Sequence, residues 1–86
     1  MTTVKIYTTK LCPYCSAAKR LLKNKDATIE EIDVTFDFAG RQAMTRKAGG
    51  STSVPQIFIG DTHVGGCDEL MALEAKGALD PMLQMA

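Results

Sequence analysis

The chain has 86 residues, 10 basic and 10 acidic side chains, and 45% apolar residues. This length has room for one hydrophobic core, so we expect a single domain spanning 1–86. The zero net charge argues against a nucleic-acid partner and against a polybasic membrane contact. No apolar run approaches the roughly 20 residues of a membrane span, and the N-terminus lacks a secretory-signal pattern. With only three cysteines as well, the composition predicts a protein of the reducing cytoplasm.

The first third of the chain predicts a strand, a helix and a second strand. Residues 3–8 place Val4 and Ile6 on one face of a short strand. Residues 13–25 predict a helix, and a second strand follows at 27–34. A strand–helix–strand unit has a right-handed crossover, so the two strands should pair in parallel. The apolar residues that recur at helical spacing are Tyr14, Ala17, Ala18, Leu21 and Leu22.

The middle of the chain predicts a second helix and a hairpin. Residues 36–49 favour a helix that ends at a glycine pair, although Gly40 lowers the helix propensity. Residues 53–60 favour a third strand, and a tight turn joins it to a short fourth strand at 62–64.

The last part of the chain predicts a third helix over 67–77, capped near Cys67 or Asp68, and a terminal helical turn over 79–85. The predicted order is therefore β-α-β-α-β-β-α. It corresponds to the α/β class, with a mixed four-stranded sheet and flanking helices.

Two of the cysteines form the motif C-P-Y-C at the predicted start of the first helix. Cysteines at i and i+3 of a helical turn have Cα atoms about 5 Å apart, as a disulfide requires. The helix N-terminus and the nearby Lys10 favour the thiolate of Cys12, and Pro13 suits the first helical position. Cys15 lies one turn inside the helix, so we expect Cys12 to attack and Cys15 to resolve the mixed disulfide. C-x-x-C beside a β-α-β unit is specific for a thioredoxin-like redox site.

Other uses of the cysteine pair remain open from the spacing alone. His63 and Cys67 could complete a Cys3His zinc set, although proline and a helix between the paired cysteines suit such a site poorly. A structural disulfide fits a reducing compartment poorly. A zinc or iron–sulfur carrier is the alternative to an enzyme. Without a metal, His63 is simply an exposed strand residue.

Two further segments suggest a binding site for an extended ligand. Pro55 is either an ordinary edge-strand proline or part of a cis Val54–Pro55 bond that turns the Val54 backbone towards a peptide-like ligand. Gly66 permits close backbone approach, and the N–H groups of Cys67 and Asp68 could hold a carboxylate. Asp68 could meet an amino group, cap the helix, or do both.

The segments CPYC, TSVPQIFIG and GGCDEL, at these separations, resemble a dithiol glutaredoxin. The length and the ending ALEAKGALDP resemble the small bacterial glutaredoxin-3 type, and the resemblance runs from Val4 to Leu83. It implies a thioredoxin-like fold and glutathione-dependent reduction of protein disulfides and glutathione mixed disulfides. Glutathione is then the co-substrate, no metal is needed, and the partners are disulfide-containing or glutathionylated proteins. We expect a monomer.

The resemblance also implies roles for single residues. Tyr14 resembles the ring that flanks bound glutathione. Val54 resembles the residue whose backbone pairs with the cysteine of glutathione, beside a cis Pro55. Cys67 and Asp68 resemble the pair that holds the γ-glutamyl end. The residues expected to bind glutathione are Lys10, Tyr14, Gln42, Val54, Pro55, Gly66, Cys67 and Asp68.

Gln42 falls where the family often has a side chain for the glycine carboxylate of glutathione, and its neighbour Arg41 is an alternative. Many members carry a lysine three residues before the first active-site cysteine. Here Thr9 holds that place, and Lys10 lies two residues before Cys12.

Overall fold

A computed structural model describes residues 2–84 of the chain. Its four strands form one sheet in the order β2-β1-β3-β4, and none of the helices within residues 2–84 is long and apolar enough to cross a membrane. The elements are β1 (Thr3–Thr8), α1 (Pro13–Asn24), β2 (Thr28–Asp33), α2 (Phe38–Lys47), β3 (Gln56–Ile59), β4 (Thr62–Gly65), α3 (Cys67–Ala75) and α4 (Leu79–Gln84). The predicted element order is confirmed, and so is the terminal helical turn as far as Gln84; residue 85 of that prediction lies outside the described residues.

The sheet is mixed, as the sequence predicts. β1 and β2 run parallel, with Val4 opposite Ile29, whereas β3 is antiparallel to both β1 and β4. The parallel pair follows from the crossover through α1, and the antiparallel pair from the tight turn after β3. The fold is thioredoxin-like, with β1 and β3 in the centre of the sheet.

Alternation along β1 separates two apolar clusters, one on each face of the sheet. Val4 and Ile6 are fully buried in a cluster that also contains residues of α1, α3 and α4. Tyr7 lies in the other cluster, with Val34 and with Met44 of α2. Successive side chains of a strand point to opposite faces, so one short strand supplies both cores.

Two elements begin two or more residues later than the sequence predicts. The helix expected from residue 36 begins at Phe38, because the Asp37 side chain caps it by accepting the Gly40 N–H at 2.9 Å. The strand expected from residue 53 begins at Gln56, after a cis Val54–Pro55 peptide bond. Proline has no N–H for the ladder, so the strand starts beyond it.

The predicted cap of the third helix is wrong. The N-cap is Gly66, not Cys67 or Asp68, and both of these belong to the first turn of α3. The Glu69 carboxylate accepts the Gly66 backbone N–H at 2.6 Å, which is one half of a capping box. Glycine has no side chain that could mark it as a cap in the sequence. The sequence interpretation therefore assigns the cap to the residues that follow Gly66.

Candidate functional site

The thiol pair lies where β1 runs into α1, at the carboxyl edge of the parallel strands. Cys12 is the N-cap of α1 with extended backbone angles, and Pro13 opens the helix. The Cys15 backbone N–H donates to Cys12 Sγ at 3.1 Å. The sulfur of Cys12 thus takes the place of a capping oxygen, at the helix end that stabilises negative charge.

The two thiols of the motif have different surroundings. Cys12 is partly exposed, whereas Cys15 is only 1% exposed. Burial raises the pKa of Cys15 to about 12, and a hydrogen bond with the Cys12 side chain adds to the shift. Cys15 is therefore protonated at neutral pH, and Cys12 is the thiol that an incoming disulfide can reach.

A loop of residues 51–55 lies beside the Cys12 thiol. The Cys12 S–H donates to the Val54 carbonyl oxygen across a long 3.8 Å contact. Val54 is half-buried, Pro55 is buried, and the peptide bond between them is cis, as one of the two sequence interpretations anticipates. The backbone of Val54 is thus brought next to the reactive sulfur.

The loop and the first turn of α3 enclose a cavity of about 260 Å³. The lining contains six of the eight residues expected to bind glutathione: Tyr14, Val54, Pro55, Gly66, Cys67 and Asp68. Ser53 and Glu69 complete it, and sequence reasoning did not identify either. Asp68 is exposed at the mouth, so a ligand carrying an amino group could reach its carboxylate.

Gln42 and Lys10 lie outside this lining. Gln42 lines a neighbouring cavity of about 490 Å³ on α2 together with Arg41 and Thr52, and the Arg41 guanidinium donates to the Thr52 carbonyl at 3.1 Å. Thr52 precedes Ser53 in the chain, so the two cavities meet at the loop. Lys10 is exposed, and its backbone N–H donates to Thr35 Oγ1 at 2.8 Å.

The alternative zinc set is not assembled. Within residues 2–84, no three His, Cys, Asp or Glu side chains come together as metal ligands, and all three cysteines are free thiols. His63 instead has its Nε2 atom 2.7 Å from Gln56 Oε1. Cys67 is buried, and burial followed by the charge of Asp68 raises the pKa of its thiol.

Comparison with known proteins adds a relationship over nearly the whole chain. The model of the family described as Glutaredoxin matches residues 4–64. Glutaredoxin 3 of Escherichia coli (strain K12) is 48% identical over 84 residues, which cover 98% of this chain and 100% of that protein.

Solved structures show the same relationship in three dimensions. The solution structure of a glutaredoxin from Brucella melitensis is 49% identical, with a TM-score of 0.85 over 98% of this chain and 90% of that one. The crystal structure of a buckwheat glutaredoxin–glutathione complex is 32% identical, with a TM-score of 0.84 over 93% of this chain and 74% of that one.

Proposed function

The chain belongs to the glutaredoxin family of thiol–disulfide oxidoreductases, and we propose that it uses glutathione to reduce protein disulfides and glutathione mixed disulfides. The observation that carries the proposal is the position of Cys12. Its sulfur caps α1 and contacts the Val54 carbonyl beside the cavity between the 51–55 loop and α3. A thiolate held there can attack a disulfide whose glutathione half occupies that cavity.

The proposed reaction on a mixed disulfide uses one protein thiol. The Cys12 thiolate attacks the glutathione sulfur, a Cys12–glutathione disulfide forms, and the substrate leaves as a thiolate that takes up a proton. A second glutathione thiolate attacks this bond, which releases glutathione disulfide and restores Cys12. No metal or organic cofactor enters either step.

The proposed reaction on a protein disulfide uses both thiols. The target becomes attached to Cys12, and Cys15 then attacks Cys12, loses its proton and releases the reduced target. The resulting Cys12–Cys15 disulfide is reduced by two glutathione molecules. The raised pKa of Cys15 agrees with this role, because the thiol stays protonated until the mixed disulfide on Cys12 has formed beside it.

The cavity suggests how glutathione would lie. We assign the γ-glutamyl amine to the Asp68 carboxylate, and the γ-glutamyl carboxylate to the backbone N–H groups of Cys67 and Asp68 beside Gly66. The cysteine of glutathione would pair with the Val54 backbone, and Tyr14, 64% exposed, would flank it with its ring.

The glycine end of glutathione would extend towards α2. Gln42 lines the cavity that adjoins the loop, and we assign the glycine carboxylate to it. Arg41 already donates to Thr52, which makes it the second choice. Lys10, exposed before Cys12, would add positive charge near the tripeptide without belonging to the lining.

Exposed apolar side chains near Cys12 support contact with protein substrates. Leu11 is 97% exposed and Phe36 is 91% exposed, and a hydrogen bond from Lys10 to Thr35 joins the loops that carry them. Contiguous exposed apolar surface is typical of sites that bind other proteins, and we assign these side chains to such a site.

A glutathione-coupled assay on a small mixed disulfide tests the proposal. Asp68→Lys should raise the KM for the glutathionylated substrate about tenfold, because it loses a charge-assisted hydrogen bond of about 1.5–3 kcal/mol and repels the amine. Asp61→Lys makes the same charge change on the β3–β4 turn and should leave turnover unaltered. Equal KM values for the two variants would exclude Asp68 from the site, and an inactive wild type would refute glutathione dependence.

Cys15→Ser separates the two proposed reactions. The variant should keep reduction of the mixed disulfide but lose most reduction of protein disulfides, because the tethered thiol acts at a far higher effective concentration than a free one. The target should stay attached to Cys12, visible as an adduct on a non-reducing gel. Cys12→Ser should abolish both activities. Equal loss of both in Cys15→Ser would mean that the pair acts only as a unit.

A further inference from the structure

The buried amide of Gln56 holds the loop beside the active thiol. Gln56 begins β3 and is only 2% exposed. Its Nε2 atom donates to Ser51 Oγ at 2.9 Å and to the Ser53 carbonyl at 3.0 Å, and Ser53 Oγ lies at 3.2 Å. Its Oε1 atom lies 2.7 Å from His63 Nε2. Both ends of a buried amide are therefore paired, as burial of a polar group requires.

The chemistry of the partners fixes the orientation of this amide. The Ser53 carbonyl can only accept a hydrogen bond, so the NH₂ group of Gln56 must face it and Oε1 must face His63. His63 Nε2 therefore carries a hydrogen and donates it. The His63 ring packs against Phe58 with ring centroids 4.8 Å apart, which holds the donor in place.

Gln56 contacts the loop on both sides of Thr52, where a second anchor acts. The Arg41 guanidinium donates to the Thr52 carbonyl, whereas the Gln56 amide holds Ser51 and Ser53. Ser53 is followed directly by Val54, whose carbonyl accepts the Cys12 S–H. The loop thus has no regular ladder of its own, and side chains from neighbouring elements determine its backbone path.

We propose that Gln56 is a positioning residue for glutathione, and that His63 is the outer partner that holds its amide. Gln56 lies behind the loop and is absent from the cavity lining, so it acts through the loop backbone and does not touch the ligand. By fixing Ser53 it orients the peptide groups of Val54 towards the bound tripeptide. The inference rests on the proposed function and extends it to a residue outside the cavity lining.

Gln56→Met tests the role, because it keeps a long unbranched side chain and removes the donor and the acceptor. The KM for the glutathionylated substrate should rise about fivefold or more, whereas kcat and the alkylation rate of Cys12 by iodoacetamide should change less than about twofold. In ¹H–¹⁵N spectra the Val54 amide should shift, and the Leu70 amide in the core should not.

Two substitutions at His63 test whether a hydrogen-bond donor to Gln56 Oε1 is required. His63→Gln keeps an N–H donor for Gln56 Oε1 and should retain a KM near that of the wild type. His63→Glu places a carboxylate against Oε1 and should raise the KM as Gln56→Met does. These variants alter a side chain on β4 that lies outside both cavities described above.

An unchanged KM in Gln56→Met beside an active wild type would overturn the role of Gln56 alone. Equal falls in kcat, in Cys12 alkylation and in thermal stability would also overturn it, because they indicate a general structural contribution. Absence of glutathione turnover in the wild type would instead refute the proposed function, and the glutathione part of this inference would fail with it.

Discussion

Cys12 and Cys15 have the same side chain, and burial gives them different chemistry. The pKa of the Cys15 thiol is raised to about 12 from its ordinary value of 9.0, so Cys15 stays protonated as the pH rises through 9. Iodoacetamide at about pH 7–10 should therefore label Cys12 and leave Cys15 almost unmodified. Peptide mass spectrometry after timed alkylation measures both sites. In guanidinium chloride the two rates should become similar, and half-maximal labelling of folded Cys15 near pH 9 would contradict the expectation.

For single residues, the sequence identifies the groups that belong to a motif and misses those that act through tertiary contacts. The C-x-x-C spacing is sufficient to single out Cys12 and Cys15, because the spacing itself places them on one helical turn. Gln56 and His63 are seven residues apart on two strands, and only the β3–β4 register brings them together. A glutamine after Val-Pro has no composition or spacing signal that would mark it as an anchor.

The N-terminus of α2 shows how a weak helix former can suit its position. The sequence interpretation counts Gly40 against the helix, but a Cβ atom there would lie 2.7 Å from the carboxyl carbon of Asp37. The same carboxylate accepts the Gly40 N–H and caps the helix. Glycine at position 40 therefore leaves space for the Asp37 carboxylate. Asp37 and Gly40 together favour a helix that begins at Phe38, as observed.

A double-mutant cycle on α2 tests this explanation. Asp37→Ala should lower the free energy of unfolding by about 1 kcal/mol, through loss of the cap. Gly40→Ala should give no gain in the wild type, because the methyl group displaces the carboxylate. In the Asp37→Ala background the same substitution should stabilise by about 0.5–1 kcal/mol, from helix propensity. Urea unfolding of the four proteins measures the cycle, and an equal gain in both backgrounds would refute it.

Across the whole molecule, topology is predictable from the sequence and the cavity is not. Periodicity and turn residues determine the order of strands and helices, and the handedness of the crossover determines which strands run parallel. The cavity depends on how α1, the 51–55 loop and the start of α3 approach one another. Tertiary packing determines these approaches, and the sequence does not show it directly. The resemblance to a known family identifies most of the lining residues, but not Ser53 and Glu69.

The C-terminal helix is part of the same core as the N-terminal strand. Leu79 is fully buried and Leu83 nearly so, and both belong to the cluster that contains Val4 of β1. Ion pairs at the surface join α1 to α3 and α4, because Lys25 at the end of α1 meets Glu74 of α3 at 2.8 Å and Asp80 of α4 at 2.9 Å. Exposed pairs of this kind add little free energy, so the apolar contacts are the main link.

Leu79→Ala tests the expectation that residues 1–86 fold as one domain. Truncation of a fully buried leucine leaves a cavity and should cost about 2–5 kcal/mol, a large part of the stability of a small domain. Because the cluster spans β1, α1, β3 and α3, this loss should shift the unfolding of the whole chain and not of α4 alone. Far-ultraviolet circular dichroism and the tyrosine signal should then report one coincident urea transition, displaced to lower concentration.

Met71→Ala, which truncates a side chain 37% exposed on α3, is the matched control and should cost less than about 1 kcal/mol. Two separate transitions in the Leu79 variant, with the sheet unfolding at the wild-type midpoint, would show that the C-terminal helices form a separable unit.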